Sequence, residues 1–452
     1  MSRSNQTYAN MIGRSLGIIG TLAIALMFGF VSCKPAPRKS ASEPGQQQTP
    51  NSSGSNASSP ASEPTLLLIG ADYRIRNDQL TAYRWGLIDT NGKVIFPPQS
   101  EMGIEFYDGL AVVLKNGKYG FIDRSGRLVI KLEWEAVDVF TDGLAPVQRD
   151  GKWGFIDKTG RVAIEPKFDF VNRFSEGLAR FDSKKDGRSN WGFIDKTGRV
   201  VIQPEWPSAW SFKGGLAWVE RDDKWGAIDR TGRVVIELKW DYDSTFSEGL
   251  TRLKLEGKAG FVDKTGRTVI EPQFEDALNF SEGLAAVLQD GKWGFIDKTG
   301  RMVIAPKWDK AEAFKEGLAV VERDLKYGYI DPTGRVVAEP QWTRVESFSE
   351  GLAVVADQNL KFGFIDKTGR VAIKLEWDLA FKFEGLAKVK RGQKWGLIDK
   401  TGRIVIEPRS DLNPSHEGNK ETGEYWLLGR QKGDKVTAEW VDSNGKQIWS
   451  SE

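Results

Sequence analysis

From Arg84 to Pro408 the apolar and polar positions recur in one fixed order. A run such as Gly283-Leu-Ala-Ala-Val287 comes first, then Asp290-Gly291, then Lys292-Trp-Gly-Phe-Ile-Asp297, then Lys-Thr-Gly and Arg301-Met-Val-Ile304. Short apolar or alternating runs between turn signals read as β-strands, and no helical periodicity is sustained between them. Each unit thus predicts three strands: strand A (Gly-Leu-Ala-x-Val), strand B (Lys-Trp-Gly-Phe-Ile-Asp) and strand C (Arg-Val-Val-Ile). Asp-Gly or Asn-Gly between A and B is a two-residue hairpin signal. Strand B is apolar on both faces, with Trp293 and Phe295 on one side and Ile296 on the other, which suits a central strand. Proline is expected to close strand C at Pro166, Pro204, Pro272, Pro306, Pro340 and Pro408, because it has no N–H to extend a ladder. The glycine beside the aromatic implies a close approach, such as a neighbouring ring lying flat on the strand.

The unit is repeated. An aromatic-Gly pair begins at Trp85, Tyr119, Trp153, Trp191, Trp225, Trp293, Tyr327, Phe362 and Trp395, with Ala259-Gly260 in register among them. The steps are 34, 34, 38, 34, 34, 34, 34, 35 and 33 residues, and a decayed partial copy follows at 440–448. So tight a period means one supersecondary unit stacked on itself. The fold class is all-β, a tandem array of about ten three-stranded β-meander repeats. Propellers usually close with about four to eight four-stranded blades. An open or superhelical array is therefore the expectation, and a closed propeller-like toroid is the alternative. The ends, Leu66–Ile69 and Tyr425–Trp449, read as caps.

The recurring Lys-Trp-Gly-[Phe/Leu]-Ile-Asp-x-x-Gly-[Arg/Lys] pattern resembles the bacterial WG-containing (KWG) repeat family over most of residues 83–408. The resemblance implies β-rich repeat arrays, often exported, and brings no catalytic residues with it.

Within the repeat, Asp-Lys-Thr-Gly resembles the phosphorylated loop of cation-pumping ATPases and the Lys-Thr-Gly box of serine β-lactamases. Comparison among the copies argues for a turn instead. The Lys position is Arg124, Arg230, Thr90 or Pro332 elsewhere, so neither its amine nor its N–H is required. Asp in the first position caps an Asx turn, and Gly in the fourth takes positive φ. Calcium sites draw several oxygens per ion, whereas each turn here offers one Asp, usually beside a cation. No catalytic residue, metal site or cofactor is predicted. His416 is the single histidine and Cys33 the single cysteine, so no His-based triad or thiolate/imidazole zinc site can be built. Paired carboxylates stay open as a hydrolase alternative, but a solvated turn accounts for Glu176, Glu248, Glu282, Glu316 and Glu350.

The N-terminus changes the setting. Arg3 and Arg14 precede an apolar run, Leu16 to Val31, and the ending Phe30-Val31-Ser32-Cys33 resembles a lipobox. Residues 1–32 thus read as a lipoprotein signal peptide and Cys33 as the lipidation site. The alternative is an uncleaved inner-membrane signal anchor. Residues 34–64 are Ser/Pro/Gln/Asn-rich and form a tether reaching roughly 30 Å root-mean-square. The array occupies 65–408 and a C-terminal β cap 409–452. Lys34 after the cysteine favours the outer membrane or periplasmic face of a bacterial envelope. Lys+Arg (64) nearly cancels Asp+Glu (62), which argues against a nucleic-acid partner.

Twelve of the 17 tryptophans occupy two repeat positions, the first at Trp85, Trp153 and their equivalents, the second at Trp134, Trp206, Trp240, Trp308, Trp342 and Trp377, and both read as core. Trp210 and Trp218 are off-template, and the neighbouring copy carries a four-residue insertion within Asp182–Asn190. Insertions in repeats map to loops, often on a binding face. The candidate binding residues are therefore Trp210, Trp218, Lys184, Lys185 and Arg188. Rows of Arg after the turn and Lys before the Trp-Gly pair are a further surface for an anionic polymer. The expected function is non-catalytic: a monomeric lipid-anchored protein presenting an extended surface to a protein or glycan. A purely structural envelope spacer is the alternative.

Overall fold

A computed structural model describes residues 65–71, 73–76, 79–184, 187–241, 245–411, 413–419, 423–432 and 435–451. The predicted signal peptide, Cys33, the tether and Lys185 lie outside the described residues.

Each repeat folds as an antiparallel sheet, and the described residues form eleven such blades, numbered along the chain from the first (strands within 66–100). Blade 4 lies at 170–206, blade 5 at 208–240, blade 6 at 250–274, blade 8 at 310–342 and blade 10 at 379–410. Blade 7 is representative, with a two-residue strand Asp276–Ala277, strand A Leu284–Gln289, strand B Lys292–Asp297 and strand C Met302–Trp308, paired in that order. Strands A to C follow the sequence reading, and the short strand is additional. It arises because the chain does not turn away after Phe274, the last residue of strand C in blade 6. It runs straight on to pair with the next strand A, Asp276 opposite Leu288. One extended segment therefore belongs to two sheets, which joins consecutive blades by backbone hydrogen bonds. In six blades the A–B turn is a two-residue hairpin with both residues at positive φ, as at Asp290 (51°) and Gly291 (70°).

Proline does not close strand C. It lies inside the strand, as Pro306 within Met302–Trp308, at a bulge between the pairs Trp293–Trp308 and Phe295–Ile304. A bulge leaves a ladder N–H unused, so proline is tolerated there. The bulge also explains the glycine. A Cβ on Gly294 would lie 2.5 Å from the Ile304 carbonyl oxygen and 2.8 Å from Pro306 N. The close approach is by backbone, not by a ring.

Hydrophobic cores lie between blades. Phe295, Ile304 and Trp308 of blade 7 pack with Ala311, Phe314 and Val321 of blade 8. The Phe295–Phe314 ring pair, 4.9 Å between centroids, recurs as Phe155–Phe174 at 4.7 Å and Phe193–Phe212 at 4.8 Å. Full burial of each such side chain contributes about 1.5–3 kcal/mol. The second tryptophan position is core as expected, with Trp308 0% exposed. The first position is core only in part: Trp395 is buried, whereas Trp85, Trp153, Trp191, Trp225 and Trp293 are half-buried and pack against the edges of the clusters.

The array closes. In successive blades the turn glycine rests on strand C of the blade before, Gly300 on Ile270 and Gly334 on Ile304. Gly92 of the first blade meets the Ile448 carbonyl of the eleventh in the same way. Leu67, Ile69 and Ile88 bury Trp440 in a shared cluster, and Trp440 Nε1–H donates to the Leu68 carbonyl at 2.8 Å. The expected open array is thus replaced by the ring. Two features redirect it: the decayed copy forms a complete four-stranded blade (Ser415–Asn419, Gly423–Lys432, Lys435–Asp442, Gln447–Ser450), and the segments read as caps for free ends pack on each other. His416 sits half-buried in the first of those strands with its ring 4.5 Å from that of Trp426.

Candidate functional site: the rim of blade 5

One rim of the ring carries the Asp-x-x-Gly turns between strands B and C together with the Glu-Gly turns that open strand A. In the first kind, Asp297 Oδ1 accepts from the amides of Thr299 (2.9 Å) and Arg301 (3.2 Å) and from the Thr299 hydroxyl (2.5 Å), and Gly300 has φ 85°. The Thr299 hydroxyl, then the Arg301 side chain and the two amides, hold the Asp297 carboxyl down at about 2. This is the predicted Asx turn. Among the described residues no group of three or more His, Cys, Asp or Glu is placed to hold a metal.

The Lys in that turn has a structural use invisible in one copy. Lys298 reaches back to Glu248 of the preceding blade at 3.0 Å, as Lys400 does to Glu350 at 2.8 Å and Lys158 to Asp108 at 2.7 Å. The same carboxylates accept backbone amides of the next blade: Gly283 to Glu248 at 3.1 Å, Gly317 to Glu282 at 2.8 Å, Gly351 to Glu316 at 3.0 Å. The glutamates that read as solvated turn residues are blade-to-blade clips. The Lys298 ammonium, followed by the Gly283 amide, lowers the Glu248 carboxyl below its ordinary range. For Glu316, burial alone would raise the carboxyl, but the amides of Gly351 and Glu350 with Lys367 outweigh it.

The cationic rows are likewise answered from within. In blade after blade the Arg following the turn pairs with its own turn Asp, Arg301 to Asp297 at 3.0 Å for instance. The Lys before Trp-Gly pairs with an Asp after strand C: Lys152 with Asp169 at 2.6 Å, Lys292 with Asp309 at 2.5 Å, and Lys394 with Asp411. These pairs leave the rows without an uncompensated positive stripe.

Blade 5 departs from this pattern. Its Glu-Gly turn reads Gly214-Gly215, so the clip toward blade 6 has no carboxylate. Lys264, which would meet it, lies 3.1 Å from where a Cβ on Gly214 would stand and packs over the Phe246 ring at 5.8 Å. On the other side of the same segment, Arg180, Trp210, Lys213 and Ser175 line an open recess of about 520 Å³ between blades 4 and 5. Trp210 is 53% exposed. Arg180 is held in place, stacked 4.0 Å over Trp191 and donating through Nε and Nη2 to Asn172 Oδ1 at 3.0 and 2.9 Å. Among the described residues no carboxylate pairs with it. Burial lowers its pKa, with Asp182 acting in the opposite direction. By contrast, the smaller recess beside blade 11 places Arg409 and Arg430 on one Glu439, at 3.0 and 3.2 Å.

The sequence-predicted residues do not converge here. Trp218 is 8% exposed and belongs to the core between blades 5 and 6, stacked 6.2 Å from Phe246. It is off-template because its cross-strand neighbour is Ala227 where the other repeats have Phe, Tyr or Leu, so Trp218 fills the missing volume. Lys184 and Arg188 are exposed on the hairpin that joins strands A and B of blade 4, at the far end of Leu178–Asp182 from Ser175. Trp210 stands with Arg180 and Lys213, which sequence reading did not single out. The signal for them was Gly214, a glycine where the aligned copies carry Asp or Glu.

A ring of WG blades defines the class, and the WG containing repeat model matches ten consecutive segments from 85–119 to 395–412. The chain belongs to the WG containing repeat family. No curated protein matches the sequence. Among solved structures, PorZ, described as an essential bacterial surface component of the type-IX secretion system of Porphyromonas gingivalis, is 10% identical with a TM-score of 0.25, over 75% of this chain and 58% of that one. Hsv2p of Kluyveromyces lactis is 10% identical with a TM-score of 0.27, over 50% of this chain and 89% of that one. The WD40 β propeller domain of Doa1 is 14% identical with a TM-score of 0.23, over 56% of this chain and 88% of that one. Likenesses this distant carry no functional argument.

Proposed function

We propose that this WG-repeat ring is a non-catalytic binding scaffold, held at a bacterial cell envelope by a lipid on Cys33 and offering its rim to an envelope glycan or protein. The observation that carries the reading is the contrast on the rim. Recurring charged side chains in the sister blades hold blades together, whereas blade 5 leaves cations and an indole facing solvent. Closure supports a monomer, since the first and eleventh blades cover each other and leave no bare terminal blade face for another copy. The lipobox-like Phe30-Val31-Ser32-Cys33 and the tether support attachment with the ring held off the surface.

Two measurements test this. Full-length protein should partition into the membrane fraction and require detergent for release, and Cys33→Ser should abolish lipid labelling. Affinity capture from envelope extract should retain a component that the heat-unfolded protein does not. Capture of nothing would leave the ring as a spacer, and turnover of an envelope polysaccharide would replace the scaffold by a hydrolase.

A further inference from the structure

Eight blades open strand A with a two-residue turn of this kind, and the first residue is Asp108, Asp142, Glu176, Gly214, Glu248, Glu282, Glu316 or Glu350. All eight have positive φ, between 51° and 65°. Seven carry a carboxylate, and one carries hydrogen. The receivers of that carboxylate persist in blade 6. Lys264 occupies the position of Lys298 and Lys400, and the Gly249 amide occupies that of Gly283, Gly317 and Gly351. Among the described residues no side chain accepts from Gly249, and none pairs with Lys264. Blade 10 shows how such a gap is otherwise closed: its turn is one residue shorter, and the Glu424 carboxylate of blade 11 lies against Gly385. No such substitute fills the place of the missing side chain: the Gly214 and Gly215 amides donate to Glu176 of blade 4 at 2.6 and 2.9 Å, but among the described residues only Lys264 comes within 4 Å of where a Gly214 Cβ would stand.

The gap adjoins the recess through Lys213. Arg180 and Lys213 line the recess with the exposed Trp210 indole, and Lys264 stands at the Gly214 gap that follows Lys213 in the chain. A half-buried guanidinium with no carboxylate in ion-pair contact among the described residues is costly unless an anion answers it. The exposed Trp210 face, beside Phe212 in the same recess, suits a flat ring presenting C–H bonds, which gains contact without needing burial on all sides.

We propose that the rim of blade 5 binds an acidic glycan: a uronate carboxylate takes the place that Asp or Glu fills in the sister blades, on Lys264 and the Gly249 amide, while a neighbouring sugar lies on Trp210 with its carboxylate toward Arg180 and Lys213. The inference rests on the binding-scaffold reading and names its ligand class.

The test titrates the full-length protein calorimetrically with trigalacturonate and with its methyl ester. The acid should bind, more weakly as salt rises, and the ester should not. Gly214→Glu restores the internal carboxylate at a φ its sisters already use, so it should weaken binding by roughly tenfold or more while leaving the melting temperature equal or higher. Lys264→Ala and Trp210→Ala should each weaken binding roughly tenfold. Equal affinity for acid and ester, or full binding by Gly214→Glu, overturns the proposal, as does the absence of trigalacturonate binding. Preference for a tetraglutamate peptide over trigalacturonate overturns the glycan assignment in favour of an acidic protein segment. Retention of an envelope component by wild type and Gly214→Glu alike would sink this site and leave the scaffold reading standing.

Discussion

In blade 7 a small residue, Ala286, faces Phe295 across strands A and B; in blade 5 the pair is reversed, with Trp218 facing Ala227. Both arrangements fill the same gap, since Phe314 packs on Phe295 in one and Phe246 on Trp218 in the other. Volume is therefore conserved across blades even where identity is not, as close-packed interiors require. Charge is treated differently. Blade 7 offers Glu282 to the next blade, and blade 5 offers nothing at Gly214. The lesson is that a departure compensated nearby is structural, and a departure left uncompensated marks a site.

The largest expected effects test the shared skeleton. Trp308→Ala in blade 7 should cost about 3–5 kcal/mol in urea unfolding. Trp218→Ala in blade 5 should fall in the same range if it has taken over the core role, and a near-neutral result would break the equivalence. Gly226→Ala and Gly294→Ala should destabilise alike, by about 2–4 kcal/mol, because each Cβ would lie 2.5 Å from a strand C carbonyl. Next come the clips. Glu282→Gln should cost about 1 kcal/mol or less, since the contact is partly solvated, and Gly214→Glu should contribute a similar amount of stability in the opposite direction.

A pH scan gives the smallest effect per residue but sums around the ring. Asp195, Asp297, Asp331 and Asp399 are held at about 2, below the ordinary carboxylate value. A depressed folded pKa stabilises above the unfolded value and loses that contribution as pH falls through the folded one. The melting temperature should be flat from pH 8 to 5, then fall steadily between about 4 and 2. A step near pH 6 would point to groups outside this set.

The strands were readable because their signals are local. Asp290-Gly291 sets a hairpin and Asp297 an Asx turn through atoms within a few residues. Closure was not readable, because it depends on Gly92 meeting Ile448 and on Trp440 reaching Leu68, pairings far apart in the chain with no periodic signature. The short strand was missed because two residues are too few for alternation to show. Prolines misled for a related reason: a bulge in mid-strand tolerates proline as well as a strand end does. At the candidate site, Trp210 and Trp218 looked alike as off-template aromatics, and only the Ala227 facing Trp218 separates core filler from exposed platform.

The segments that run from one sheet into the next act as joints, and the seam between the eleventh and first blades has none among the described residues. Each blade is built from contiguous chain, so nothing covalent fixes the number of members in the circle. A full turn shared by eleven blades is about 33° apiece, and by ten it is about 36°, a change smaller than the ordinary scatter of twist between neighbouring strands. Loss or gain of one unit by exchange between matching segments of neighbouring repeats would thus leave a circle of slightly altered diameter, whereas exchange between the identical segments 150–161 and 290–301 would move four units at once. Its circumference is a quantity that recombination can adjust one blade at a time.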